Sequence, residues 1–148
     1  MLRTSDVVAV NLGVHWHKIK REYAIAMKAT VDRLKKIGGK GTGKVGFLVE
    51  TLPHYFQSAD GSGDFESKIN SKAGCAPITT TGLGWRNEFL HQIASAVNYT
   101  NIVRQYELMK PYSDEHIKLT DCMHYKMQSE RFPLQLNPFV ESIHENYF

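Results

Sequence analysis

Asp6-Val7-Val8-Ala9-Val10-Asn11-Leu12 is the stretch that decides the fold, because its continuous apolar run, rich in β-branched residues, predicts a buried strand. An amphipathic helix is predicted over Lys18–Ile37, where apolar residues recur at every third or fourth position and Gly38-Gly39 follows as a stop. A second apolar run predicts a strand over Val45–Thr51. A helix of this length between two strands is typical of a parallel crossover, so this part of the chain predicts an α/β fold.

The rest of the chain continues the alternation of helices and strands. A Gly- and Ser-rich stretch, Gln57–Thr81, predicts a long loop, and the next periodic segment predicts a helix over Trp85–Val97. A third strand is predicted over Asn101–Tyr106, a polar loop over Glu107–Lys126 and a short helix over Pro138–His144. No repeat or domain boundary is evident, so all 148 residues are predicted to form one domain.

The composition excludes several classes of protein. The chain is 42% hydrophobic and 22% charged, and its 18 Lys and Arg against 15 Asp and Glu are scattered, so no nucleic-acid partner is predicted. Its longest apolar run, Val7–Val14, is far too short to cross a bilayer, and the start of the sequence predicts no signal peptide. Two cysteines do not define a disulfide framework or a zinc site, and no metal or other cofactor is predicted. Asn98-Tyr99-Thr100 is a sequon for N-glycosylation, usable only if the chain enters the secretory lumen.

The residues Asp121-Cys122-Met123-His124 place a carboxylate and an imidazole three positions apart. A neighbouring Asp can hold a His in one tautomer and stabilise its charged form, which makes the imidazole a competent general base for a serine hydroxyl. The alternative is that Asp121 and His124 are two solvated loop residues.

Two further segments follow predicted strands, where ligands bind in parallel sheets. In Asn11–Trp16, the Asn11 amide is a suitable oxyanion donor and Gly13 permits close approach of backbone, although a plain turn with a packed Trp is the alternative. In Glu50–Phe56, His54 is either a functional residue or a structural one.

Five segments in register resemble the PC-esterase and trichome-birefringence-like group of SGNH hydrolases. Their counterparts in that family are the D-v-v-v-F-N-x-G-x-H-W strand and loop, the W-R-E-T-x-P-Q-H-F strand and loop, a G-x-G-x-Y loop, an R-x-D-x-H segment and a terminal D-C-x-H-W/Y. The matching segments here are, in order, Asp6–Trp16, Phe47–Phe56, Asp60–Phe65, Pro111–His116 and Asp121–Tyr125.

The resemblance implies a flavodoxin-like three-layer α/β/α sandwich with a parallel sheet. It implies acyl-ester chemistry on polysaccharides, as an O-acetyltransferase or esterase, in a parent protein of the Golgi lumen or the extracellular space. Carried over by position, His124 is the general base, Asp121 orients it, and Asn11 with Gly13 lies in the oxyanion-hole segment.

The same resemblance implies roles for a second set of residues. Cys122 is expected to be a disulfide cysteine with Cys75 as its partner. Four residues are expected on the oxyanion or substrate-binding side of the site: His15, Trp16, His54 and Tyr55.

This sequence departs from the family pattern at several positions. The family's nucleophilic serine lies in a Gly-Asp-Ser motif after the first strand, and no Gly-Asp-Ser occurs in these 148 residues. Val49 stands in place of the strand Arg, Lys126 in place of a Cys, and the His of Q-H-F falls on Tyr55 with His54 in the place of the Gln. Loss of one triad member typically removes on the order of a million-fold of activity.

We therefore interpret the sequence as the C-terminal part of such a domain, lacking its first strand, inactive alone and paired with a missing N-terminal half. The alternative is a non-catalytic carbohydrate- or partner-binding module, with aromatic side chains for stacking on sugars at Trp16, Tyr55, Phe56 and Tyr125. A third possibility is an unrelated α/β protein in which the motifs arise by chance.

Overall fold

The computed structural model describes residues 6–13, 16, 20–38, 42–65, 74–116 and 121–126, with a few single residues beyond position 132. Six elements lie in the described ranges: β1 (Val7–Val10), α1 (Lys20–Ile37), β2 (Val45–Val49), α2 (Gly84–Ala96), β3 (Ile102–Val103) and α3 (Tyr106–Met109).

The three strands form one parallel sheet in the order β1-β2-β3. Val7 of β1 lies opposite Val45 of β2, and Leu48 of β2 lies opposite Ile102 of β3. Helix α1 makes the crossover from β1 to β2, as a parallel pair of strands requires. This arrangement confirms the predicted α/β class and is consistent with a partial α/β sandwich.

The central strand β2 separates two hydrophobic clusters, because alternate residues of a strand point to opposite faces. Leu48 packs into a cluster with α1 and α2, whose buried members include Tyr23, Met27 and Leu90. Phe47, on the other face, packs with Val45 and Val103. Full burial of one such side chain stabilises the fold by about 1.5–3 kcal/mol, so β2 anchors the sheet.

The predicted third strand, Asn101–Tyr106, is wrong at its C-terminal end. The strand covers only Ile102–Val103, and α3 begins at Tyr106, because the backbone N–H groups of Gln105 and Tyr106 turn toward the buried carboxylate of Glu50 instead of a neighbouring strand. The predicted polar loop over Glu107–Lys126 therefore contains most of α3, and it also contains an antiparallel bridge between His116 and Tyr125.

Two predicted helix ends lie partly outside the described residues. The structure describes α1 from Lys20, so Lys18 and Ile19 are not covered. In the predicted helix over Pro138–His144, only Pro138, Val140, Glu141 and His144 are described, all with helical backbone. Within the described ranges, no helix combines the length and apolar character needed to cross a membrane.

Candidate functional site

Asp121 and His124 form a hydrogen-bonded pair on a tight turn. One carboxylate oxygen, Oδ1, accepts the backbone N–H groups of Met123 at 3.2 Å and His124 at 3.0 Å. Asp favours this turn because its side chain can bond to the backbone two residues along. Both carboxylate oxygens lie 3.0 Å from the ring atom Nδ1 of His124.

The pair is arranged so that His124 can accept a proton on its outer nitrogen. When Nδ1 carries the hydrogen shared with Asp121, the lone pair is on Nε2. That atom has no hydrogen-bond partner among the described residues, and the side chain is 66% exposed. Partial burial raises the pKa of Asp121, but the hydrogen bonds from His124 and Met123 outweigh it and hold this pKa below its usual value of 3.8. The carboxylate is therefore ionised at neutral pH.

Two hydrogen bonds attach this turn to the segment that follows β2, and a disulfide attaches it to Cys75. Cys122 is 1% exposed and forms a disulfide with Cys75. Its carbonyl accepts the N–H of Tyr55 at 2.9 Å, and the Tyr125 hydroxyl donates to the carbonyl of Pro53 at 3.0 Å. The structure thus contains the disulfide that the family resemblance implied.

His116 packs against the turn and was not among the site residues predicted from the sequence. Its Nδ1 lies 3.2 Å from the carbonyl oxygen of His124, and its ring lies 4.8 Å from the ring of Tyr125 and 4.9 Å from that of Tyr55. Burial lowers the pKa of His116, so the fold favours the neutral imidazole. The resemblance of Pro111–His116 to an R-x-D-x-H segment was the available signal.

Asn11 and Gly13 do not have the free donors expected of an oxyanion hole. The amide nitrogen of Asn11 donates to the carbonyls of Val49 at 3.1 Å and Glu50 at 2.9 Å, so both of its hydrogens are used. Its Oδ1 accepts the N–H of Gly13 at 2.9 Å. Backbone carbonyls at a strand end need donors, and Asn11 supplies them here. The oxyanion assignment is therefore corrected to a structural one.

The position of Gly13 has a separate packing reason. A Cβ atom built on Gly13 would lie 1.6 Å from Oγ1 of Thr51, which is not a possible contact. Thr51 is buried, and its backbone N–H and carbonyl are both bonded to the side chain of Asn87. Only a glycine fits where the segment that follows β1 passes against the segment that follows β2.

The four expected substrate-binding residues have different outcomes. His15 lies outside the described residues. Trp16 packs edge-to-face on Tyr23, with ring centroids 6.0 Å apart. His54 is 7% exposed and lines a pocket of about 20 Å³, which is room for one or two water molecules at most. Tyr55 is fully buried and donates its hydroxyl to the carbonyl of Met109, so the prediction that it touches a substrate is wrong.

The two groups that the sequence analysis selected are attached to one short segment. Asn11 bonds to the carbonyl of Glu50, and the turn at Cys122 bonds to Tyr55. Five residues of extended chain span at most about 17 Å, so both groups lie near the carboxyl end of β2. This is the edge of a parallel sheet at which ligands bind.

Glu50 is a buried charge that organises this edge and that sequence reasoning missed. It is 2% exposed, and its carboxylate accepts the N–H groups of Gln105 and Tyr106 at 2.9 Å and lies 2.6 Å from Nε2 of His91. Burial raises the pKa of Glu50, but the hydrogen bonds to its carboxylate lower this pKa by more than burial raises it. The net pKa therefore lies below its usual value of 4.5. The carboxylate connects the end of β2 to α2 and α3. In the sequence, the only indication of this role was that Glu50 directly follows an apolar run.

Arg86 closes the same edge on the side of α2. Its guanidinium lies 2.6 Å from the carboxylate of Asp64, donates to the carbonyl of Trp16 at 3.2 Å and stacks 4.5 Å from the ring centre of Trp85. Across the described ranges, no three His, Cys, Asp or Glu side chains are grouped to hold a metal ion.

No family model, no curated protein and no solved structure matches this sequence.

Proposed function

We propose that this chain supplies the acid–imidazole half of an acyl-ester active site that acts on O-acetylated polysaccharide. The observation that carries the proposal is the Asp121–His124 pair, in which Nδ1 faces the carboxylate at 3.0 Å and Nε2 is open. A His oriented in this way is the general base of serine-dependent acyl transfer.

The proposed reaction begins when Nε2 of His124 takes the proton of a serine hydroxyl. The serine oxygen then bonds to the acyl carbon, the protonated imidazole returns the proton to the sugar oxygen, and the carbon–oxygen bond to the sugar breaks. Water or an acceptor hydroxyl next loses its proton to His124 and attacks the acyl carbon. The bond from that carbon to the serine oxygen breaks, and the imidazolium returns the proton to the serine oxygen. Asp121 remains ionised throughout and stabilises the imidazolium.

In this proposal the serine comes from a further segment, because the Gly-Asp-Ser motif that carries it in the resembled family does not occur in these 148 residues. The oxyanion donors also have to come from other residues, because the amide group of Asn11 and the N–H of Gly13 already donate hydrogen bonds within the fold. We therefore expect the chain alone to show no esterase activity.

A sugar-stacking module has less support from the geometry. Two of the four aromatic residues that would serve it, Tyr55 and Tyr125, are buried, with their hydroxyl groups bonded to backbone carbonyls. A ring without an exposed face cannot stack on a sugar.

The experiment compares the chain alone with the chain extended by any residues that the reading frame encodes upstream of Met1, where the proposal predicts a Gly-Asp-Ser segment. Acetate release from acetylated xylan is measured for each. We expect no release from the chain alone and release from the extended protein, falling by about 10⁴-fold or more in His124→Ala and in Asp121→Asn. His144→Ala is the matched histidine control and should leave the rate unchanged. Release that survives His124→Ala contradicts the proposal, as does a longer reading frame without such a serine.

A further inference from the structure

Asn98-Tyr99-Thr100 is the only Asn-x-Ser/Thr tripeptide of the sequence, and it forms the turn that ends α2. Asn98 has φ of 53°, a left-handed conformation that Asn tolerates better than most residues. The N–H of Asn98 bonds to the carbonyl of Ser95, and the N–H of Tyr99 bonds to that of Ala94. The turn is thus a well-defined helix end.

The two side chains that define the sequon face solvent, while the residue between them is anchored in the core. Tyr99 is 9% exposed, and its hydroxyl donates to the carbonyl of Gly46 at 2.5 Å. Asn98 and Thr100 are both exposed, and neither side chain has a hydrogen-bond partner among the described residues. A glycan on the Asn98 amide would therefore displace no contact of the fold.

The disulfide gives an independent indication of the compartment. Disulfides such as Cys75–Cys122 form and persist in oxidising environments and are rare in the reducing cytosol. The lumen of the secretory pathway is such an environment, and it is also where Asn-x-Ser/Thr sequons are used.

We propose that Asn98 carries an N-linked glycan. In the reaction, the amide nitrogen of Asn98 bonds to the anomeric carbon of an oligosaccharide carried on a lipid pyrophosphate. The bond from that carbon to the pyrophosphate oxygen breaks, the amide loses one proton, and the lipid pyrophosphate leaves. This inference does not depend on the acyl chemistry proposed above.

The glycan would leave the candidate site open. Asn98 precedes β3 and so lies at the amino end of the parallel sheet, whereas the Asp121–His124 turn is attached beyond the carboxyl end of β2. The five residues of β2 separate these ends by about 16 Å. Asn98 also borders a groove of about 300 Å³ lined by Ser95, Ile102 and others, which gives the first sugar room beside the edge strand.

The test expresses the full chain behind a cleavable secretion leader in eukaryotic cells. We expect one electrophoretic mobility shift that peptide-N-glycosidase removes, with conversion of Asn98 to Asp seen by peptide mass spectrometry. Thr100→Ala should abolish the shift, and Thr100→Ser, which restores the sequon, should retain it. Asn101→Gln is the matched control on a neighbouring asparagine and should also retain it.

Loss of folding is separated from loss of modification by a second variant. Asn98→Gly removes the acceptor but suits the left-handed turn, so it should be secreted, folded and unshifted. A parent chain that is secreted without a shift overturns the proposal. A shift that persists in Thr100→Ala or Asn98→Gly overturns it as well, since the modification then lies elsewhere.

Discussion

The disulfide between Cys75 and Cys122 joins two loop segments that both bond to Tyr55, and its removal is the largest single perturbation expected of the candidate site. The N–H of Tyr55 bonds to the carbonyl of Cys122, and the carbonyl of Tyr55 accepts the N–H of Ala76. The crosslink therefore holds the two segments that flank Tyr55, and one of them carries the Asp121–His124 turn. The perturbation is the double substitution Cys75→Ala with Cys122→Ala.

Its magnitude follows from the length of chain that the crosslink closes. The two cysteines are 47 residues apart in sequence, and closing a loop of that length removes about 14 cal/mol/K of entropy from the unfolded chain. At 25 °C this corresponds to about 4 kcal/mol of stability, a large part of the 5–15 kcal/mol that is typical of a folded domain.

The assay is equilibrium unfolding in urea, followed by the fluorescence of Trp16 and Trp85. These side chains pack on the cluster around Tyr23 and Leu90, whereas the crosslink belongs to the separate cluster around Tyr55, so the tryptophans report on the fold as a whole. We expect the free energy of unfolding to fall by about 4 kcal/mol. Amide hydrogen exchange at Cys122–Lys126 should accelerate at least as much as in the rest of the protein.

Two controls keep the reasoning open to refutation. Reduction of the parent protein should reproduce the effect of the double substitution, since both release the same constraint. Ile25→Ala, which truncates a side chain that is 60% exposed, should change stability by less than about 0.5 kcal/mol. A loss below about 1 kcal/mol in the double variant would show that the crosslink does not restrain the unfolded chain.

Three further predictions concern the turn and the strand ends. His124→Ala should raise the pKa of Asp121, measured by carbon NMR of its carboxylate, because a hydrogen bond to the ionised form is lost. Gly13→Ala should cost about 1–3 kcal/mol of unfolding free energy in urea, because the new Cβ collides with the buried Thr51. Burial lowers the pKa of His116, so the unfolded chain binds this proton more tightly and stability is lost as pH falls below 6.5; His116→Gln should reduce that slope in urea titrations at several pH values.

Each of these predictions has an internal comparison. The pKa of Asp60, held low by hydrogen bonds from Ser62, should not move in His124→Ala, and an equal movement of both carboxyl groups would contradict the assigned cause. Gly38→Ala adds a Cβ with only ordinary contacts, so a cost equal to that of Gly13→Ala would rule out the collision. An unchanged pH slope in His116→Gln would mean that other groups cause the acid sensitivity.

The Asp121 prediction also fixes the sign of an acid effect. Because the pKa of Asp121 is lower in the folded chain, its hydrogen bonds contribute stability above the ordinary carboxyl pKa of 3.8, and this contribution is lost as pH falls through the lowered pKa. The effect lies at lower pH than that of His116, so the two can be distinguished in one titration series.

The sequence by itself determined the class of fold and the strands that form the sheet. The apolar runs at Val7–Val10 and Val45–Val49 and the periodicity of Lys20–Ile37 are local patterns, and hydrophobic burial acts on them wherever the chain lies. The Asp121–His124 pair could also be predicted, because a spacing of three on a turn is a local geometry.

Only the tertiary structure decided which polar groups remain free for chemistry. The amide of Asn11 is consumed by carbonyls at the end of β2, and Tyr55 is enclosed by Met109, Cys122 and Tyr125. Glu50 shortens β3, because its carboxylate accepts the N–H groups of Gln105 and Tyr106, which would otherwise continue the strand. Hydrogen-bond partners and burial depend on which segments the fold brings together from distant positions in the sequence. A local sequence pattern does not specify those contacts.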